Sequence, residues 1–344
     1  MLAPYTTFKI GGPARYFCEA RDQFDTLSAF EFAGKKKLPV FVLGGGSNVL
    51  ISDSGFKGLV MRVVNSGIEI VSEDGNQATL KVAAGETWDK AVAFAVKNRW
   101  WGVENLSHIP GSTGAIAVQN VGAYGQEARD VIESVTVFDT ETRQILSLTN
   151  EACGFAYRSS IFNGAQKGKY IIFDISFRLQ KTGEPNLEYR DLNEKFANLS
   201  PTIEEVRQAV IDIRDKKYPF PKEPKNGNAG SFFKNPVLSR EDYGKLLGVL
   251  SENFEADVAA VLEKKKFVEN GHTKVPAAYL VELCGLKDTE NGGAAINHNQ
   301  PLVIINKTGK ATAEDVLDLA NWVKKTVNEK IGVSLNFEPE LIGF

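Results

Sequence analysis

Val40-Phe41-Val42-Leu43-Gly44-Gly45-Gly46-Ser47-Asn48 is an apolar run that empties at once into three glycines and two small hydrogen-bonding residues. A strand feeding a glycine-rich loop is the organisation of many phosphate-binding sites, because bare backbone lets successive N–H groups converge on an anion. Ser47 and Asn48 add side-chain donors. The stretch is not a Walker A loop, since no Gly-Lys-Ser/Thr follows, and the GxGxxG spacing of a Rossmann fingerprint fails. The competing reading is a plain strand-to-loop turn.

A second segment downstream decides between the two. Ile109-Pro110-Gly111-Ser112-Thr113-Gly114-Ala115-Ile116-Ala117-Val118-Gln119-Asn120-Val121-Gly122-Ala123-Tyr124-Gly125 places four glycines and several alanines in seventeen residues. Such a chain can lie flat against an extended ligand, or close against other backbone. Ser112, Thr113, Gln119 and Asn120 offer hydrogen bonds. Taken with the first loop, a large dinucleotide-like cofactor is the better account.

Around these loops the apolar pattern is readable. Arg15 to Ala20, Leu59 to Val64 and Thr79 to Ala83 read as strands, and Phe24, Leu27 and Phe30 take helical spacing. Trp88, Ala91, Val92, Ala95 and Val96 predict a helix after Thr87. Glu133 to Leu148 suggests two strands, and Phe173, Ile175, Phe177 and Leu179 alternate with polar residues as in a half-buried strand. Thr202 with Glu205 forms a capping-box signature for a helix that stops before Pro219. A domain boundary is expected just before that helix, giving residues 1–200 and 201–344. A last helix is expected from the cap at Thr312 to Asp315.

Three further places draw attention. Asn226-Gly227-Asn228-Ala229-Gly230-Ser231-Phe232-Phe233-Lys234-Asn235-Pro236 presents one serine after a run of small residues, with a phenylalanine pair next to it that can anchor the strand in a core. Arg158 stands between apolar anchors in Tyr157-Arg158-Ser159-Ser160-Ile161-Phe162, and Glu340 stands among apolar neighbours near the C-terminal end. Arg214, Lys216, Lys217, Lys222 and Lys225 form a basic run, either a solvated face or a phosphate site. On residue type alone, a tight turn, a surface arginine and an edge-strand acid are the commoner readings.

Composition narrows the classes. The chain has 344 residues, enough for two domains, and a net charge of -3 from 40 basic and 43 acidic side chains, which argues against a dedicated nucleic-acid binder. Cys18, Cys153 and Cys284 are odd in number and far apart, so no disulfide framework or metal site is expected and a cytoplasmic setting fits. No signal pattern and no membrane-length apolar run is visible.

The motifs GGGSNVL at 44–50, IPGSTGAIAVQNVGAYG at 109–125, YRSSIF at 157–162, GNAGSFFKNP at 227–236 and EPE at 338–340 occur in an order and spacing that chance explains poorly. In them the chain resembles the UDP-N-acetylenolpyruvoylglucosamine reductases (MurB), type I branch, flavoenzymes of peptidoglycan precursor synthesis. The resemblance implies an α+β protein. Its FAD-binding part would consist of two α/β subdomains of the vanillyl-alcohol oxidase/PCMH type, with a smaller α+β substrate-binding domain. It implies an NADPH-dependent oxidoreductase in which NADPH reduces FAD and the reduced flavin passes hydride to the enolpyruvyl ether of the UDP-sugar. By the same resemblance Ser231 delivers the proton, and Arg158 and Glu340 stabilise the enolate-like charge. FAD contacts are expected from Gly44, Gly45, Gly46, Ser47, Asn48, Ile109, Pro110, Gly111, Ser112, Gly114, Gln119, Asn120, Gly122, Ala123 and Tyr124. Substrate contacts are expected from Tyr189, Lys217, Asn235 and Gln300. The partner implied is UDP-N-acetylglucosamine enolpyruvate, with no nucleic acid and no membrane. The oligomeric state stays open, a monomer being compatible. A flavin oxidase of the same fold and a UDP-sugar-binding regulatory protein are the alternatives, both disfavoured by the joint presence of Arg158, Ser231 and Glu340.

Overall fold

In the computed structural model all residues are described except 218, 219, 222, 256 and 270. Pro219, the expected helix stop, and Lys222 of the basic run therefore lie outside the described residues. The chain forms two compact units, each discontinuous in sequence: residues 14–46 with 56–220, and residues 1–13 with 47–55 and 221–344.

The first unit begins with a three-stranded parallel sheet, in which Ala14–Ala20 and Val40–Leu43 flank Phe56–Val63. Strands that run parallel need a crossover, and helix Gln23–Lys36 supplies it between the two outer strands. Asp22 caps that helix by accepting from Asp25 N, and Lys37 ends it in the left-handed conformation. The buried positions are Thr26, Ala29 and Ala33, whereas Phe24 is 76% exposed. Helical spacing alone puts Phe24 on the inner face. At 3.6 residues per turn Phe24 lies on the opposite side of the helix from Thr26, Ala29 and Ala33, so its ring faces outward, while Leu27 and Phe30 do pack on the core.

A five-stranded antiparallel sheet comes next, ordered Ile145–Thr149, Ile132–Asp139, Tyr170–Gln180, Gln77–Ala83, Ile68–Glu73. The alternation seen in the sequence is realised: Ile175, Phe177 and Leu179 are buried and Arg178 is exposed. Helix Trp88–Lys97 lays Trp88, Ala91, Val92, Ala95 and Val96 on the same core, with Trp88 and Phe177 ring to ring at 5.4 Å. A fully buried aromatic of this kind contributes about 1.5–3 kcal/mol. Helix Ile203–Lys217 also belongs to this unit, whose second segment runs to residue 220. Its Thr202–Glu205 capping box forms as expected.

In the second unit, Gly227–Ser231, Val303–Asn306, Ala294–Ile296 and Glu290–Asn291 form an antiparallel sheet in that order. Helix Ala313–Ile331 carries the full capping box at Thr312 and Asp315 and buries Val316, Leu319, Ala320, Val323 and Val327. Phe8, Phe232, Phe233 and Phe337 make the aromatic centre, with Phe232 within 6.3 Å of the other three rings. Val49–Ile51 pairs in parallel with Glu340–Ile342. The three cysteines are free, and burial pushes the Cys153 thiol up to about 12. Among the described residues no helix is long and apolar enough to cross a membrane.

Candidate functional site

The two glycine segments meet backbone to backbone in the first unit. A β-carbon on Gly44 would lie 2.6 Å from Ser112 Oγ, and one on Gly45 would lie 2.5 Å from Gly111 Cα and 2.7 Å from Ser112 N. Gly45 N donates to Ser112 Oγ at 3.1 Å. Segment 111–114 is held from its other side: Trp88 N donates to Gly111 O, Thr113 N to Glu86 O and Gly114 N to Ala84 O. A β-carbon on Gly114 would lie 2.8 Å from the Ala84 β-carbon. Gly46 takes φ +62, the left-handed turn that curls successive N–H groups into an anion nest. Close packing of backbone is the role these glycines show, and it engages Gly45 N, Thr113 N and Gly114 N. The nested glycines form a wall of bare backbone, a surface that fits the flat body of a dinucleotide such as FAD. Ile109 and Pro110 lead into the wall from His108, which has φ +59.

Arg158 is tied to the end of the second segment. Its backbone has φ +51, and its guanidinium donates to Gly122 O at 3.1 Å and lies over the Tyr157 ring. Ser160 Oγ donates to Val118 O, and Asn120 Nδ2 donates to Ala156 O and Glu127 Oε2. Asn120 Oδ1 accepts from Arg129 N. The Asn120 side chain, expected as a cofactor donor, is fully buried and engaged by protein groups on both of its ends. Gln119 is half-buried, and Ala123 pairs with Gln126 in a two-residue hairpin.

Three of the expected ligand residues gather at one place. Tyr124 and Tyr189 stand edge to face at 5.1 Å, and Lys217 Nζ lies 5.5 Å and 5.7 Å from their ring centroids. Lys217 also pairs with Asp191. Tyr189 holds the N-terminal position of helix Arg190–Lys195.

The second unit gathers the others. Ser231 ends its strand after Gly230, whose φ of +71 disturbs the register against Val303. Thr7 Oγ1 donates to Asn228 O at 2.6 Å, and Asn228 Oδ1 accepts from Gly230 N, which fixes the approach to Ser231. Phe232 N donates to Leu302 O, and Val303 N donates to Gln300 O, so the Gln300 turn abuts the serine strand. Phe232 O accepts from Glu338 N, Glu338 O accepts from Asn48 Nδ2, and Asn48 O accepts from Glu340 N. This relay joins Asn48, the serine strand and the half-buried Glu340. Asn235 Oδ1 accepts from Ala277 N at the start of helix Ala277–Leu283. Ser47 is half-buried in this unit, and Arg158 belongs to the other.

A clamp that no sequence spacing announces holds the entry to the second segment. Asp89 takes a bidentate pair from Arg207, both contacts at 2.8 Å, and accepts from His108 N at 2.6 Å. Arg214 Nε donates to His108 O. Burial raises the Asp89 carboxyl, but the Arg207 and His108 hydrogen bonds outweigh it and hold the group below the ordinary aspartate value. Nearby, Asn105 Nδ2 bridges Tyr124 O and Asn186 O, while burial pushes the Glu104 carboxyl up. Asp89 and Arg207 are 118 positions apart, which is why periodicity could not pair them.

The family model for an FAD binding domain matches residues 14–148, and that for the UDP-N-acetylenolpyruvoylglucosamine reductase C-terminal domain matches residues 222–342. The UDP-N-acetylenolpyruvoylglucosamine reductase of Shewanella sp. (strain MR-7) is 38% identical over 342 residues, covering 99% of this chain and 96% of that protein. The chain belongs to the UDP-N-acetylenolpyruvoylglucosamine reductase family. The Neisseria gonorrhoeae reductase is 39% identical, with 98% and 95% covered. The crystal structure of MurB from Thermus caldophilus superposes with a TM-score of 0.65 at 25% identity, covering 99% of this chain and 97% of that one. With the FAD binding domain matched, this member of the MurB family is an FAD-dependent oxidoreductase with the α+β class and PCMH-type cofactor domain expected from its sequence.

Proposed function

We propose that the protein reduces the enolpyruvyl group of UDP-N-acetylglucosamine enolpyruvate to UDP-N-acetylmuramate in peptidoglycan precursor synthesis, with NADPH as electron donor. It would work in the cytoplasm, a compartment in which three free thiols persist. The observation that carries the reading is the Arg158 guanidinium, fixed by its left-handed backbone and its bond to Gly122 O on the flavin segment. Bound FAD supplies the hydride chemistry. Residues 1–200 would carry the cofactor, through the backbone of Gly44–Asn48 and of 109–124, and 201–344 most of the substrate contacts.

Addition of hydride to an enolpyruvyl ether leaves negative charge spread toward the substrate carboxylate. Arg158 offers fixed positive charge for it, with Glu340 as its partner in that role; such preorganised groups stabilise charge without reorganising. Ser231 holds the proton for the adjacent carbon. A serine hydroxyl is a weak acid, and it serves because the carbanionic carbon is strongly basic and the hydroxyl is already in place. Tyr189, Lys217, Asn235 and Gln300 hold the UDP-sugar, so that binding energy far from the reacting carbons aligns them.

The experiment is anaerobic. NADPH bleaches the flavin of the wild type, and the enolpyruvyl UDP-sugar restores its colour. Ser231→Ala bleaches normally and stays bleached when the sugar is added. Wild-type turnover by Ser231→Ala removes the serine from this role, and a wild type with no response to the sugar removes the reading as a whole.

A further inference from the structure

The Lys217 ammonium sits among three groups: the Tyr124 ring, the Tyr189 ring and the Asp191 carboxylate. Aromatic faces attract a cation without claiming a particular N–H. A carboxylate claims one of the three N–H donors of an ammonium. Two donors therefore have no protein acceptor among the described residues, in an ammonium whose side chain is only 28% exposed. The groove beside Asp191, about 800 Å³, brings no surplus of positive charge. In it Lys195 pairs with Asp212, and Asp215 meets His108. Asp191 is thus the carboxylate that sets the charge at Lys217.

We infer that Asp191 is a built-in counter-ion for Lys217, a specificity-determining residue that orients the ammonium between the two tyrosines and moderates its affinity for a nucleoside diphosphate. This rests on the reading of Lys217 as a diphosphate contact. Without Asp191 the ammonium would hold the phosphates more tightly and release them more slowly. With it, an arriving diphosphate takes up the two unclaimed N–H donors against a partly neutralised charge.

The test uses the FAD-loaded enzyme and UDP as the probe, read by calorimetric titration at two salt concentrations. Asp191→Asn keeps an acceptor beside Lys217 and removes the charge. Its Kd for UDP is expected to fall about three- to tenfold at low salt, with the gain fading near 1 M salt, where charges are screened within about 3 Å. In the Lys217→Gln background the same change is expected to have no effect. A Kd for Asp191→Asn that is unchanged or raised overturns the inference, as does a gain that survives in Lys217→Gln. Flavin content reports folding of each variant. Because UDP binding needs no turnover, failure of the wild type to reduce the enolpyruvyl sugar would strike the proposed function and leave this measurement readable.

Discussion

Gly45→Ala tests whether the cofactor wall is set by nested backbone. The added β-carbon would stand 2.5 Å from Gly111 Cα, 2.7 Å from Ser112 N and 2.8 Å from Gly111 C. Carbon atoms in contact prefer about 3.5–4.0 Å, so the two loops must part by roughly 1 Å. None of the three neighbours is a flexible side-chain end, and segment 111–114 is pinned from behind by Trp88, Thr113 and Gly114 bonds. Overpacking of this kind costs about 1–3 kcal/mol. If the free protein relaxes the clash and the bound form must restore the nest, FAD affinity falls about 5- to 150-fold, at tenfold per 1.4 kcal/mol. Flavin absorbance per mole of purified protein gives a first reading, and titration of the apoprotein with FAD gives the ratio of dissociation constants. Gly34→Ala is the control. Its β-carbon would meet nothing within 4 Å, and its place in helix Gln23–Lys36 lets alanine stabilise by up to about 1 kcal/mol with no effect on FAD. Full flavin content and a wild-type Kd in Gly45→Ala would falsify the nested-backbone account.

Two further outcomes are expected from the clamp and the last helix. The lowered Asp89 value means that its contribution is fully present above the unfolded aspartate pKa, about 3.9, and is lost as pH falls through the folded value. Asp89→Asn should therefore destabilise by about 1–3 kcal/mol near neutrality, with the gap to wild type closing below about pH 4 in urea titrations; a gap independent of pH would refute the ion-pair account. Thr312→Ala removes the side chain that accepts from Asp315 N and should cost about 1 kcal/mol in thermal unfolding. An unchanged Tm would mean that Asp315, through its bonds to Thr312 N and Gly293 N, holds the turn by itself.

Periodicity made much of the fold legible. Helix Trp88–Lys97, strand Tyr170–Gln180 and the capped helices starting at Ile203 and Ala313 all carry their pattern within one local stretch. The same local view misplaced Phe24, since spacing gives a stripe but not which side of it the core lies on. For the glycine loops it set close backbone packing against ligand contact, and only the fold shows the packing realised between Gly45 and Gly111. Gly45 is needed as much for Gly111 as for any phosphate, and the Asn120 amide serves Glu127, Ala156 and Arg129. The Asp89–Arg207–His108 clamp and the Lys217–Asp191 pair join residues whose separation in the chain has no period, and only the folded packing brings them together.

The parallel pairing of Val49–Ile51 with Glu340–Ile342 has a cost in time. Asn48 waits for Glu338 across 290 residues of chain. At about 5–20 residues per second of synthesis, that is roughly 15–60 s in which Leu50 and Ile51, both 0% exposed in the finished protein, lack the strand that covers them. The glycine loop that precedes them can be made early, yet its continuation cannot be sealed until Glu340–Ile342 has left the ribosome. Nascent chains of this protein should therefore be clients of holding chaperones at the Val49–Ile51 segment, and a chain cut short before Glu340 should be cleared rather than accumulate as a partly working enzyme.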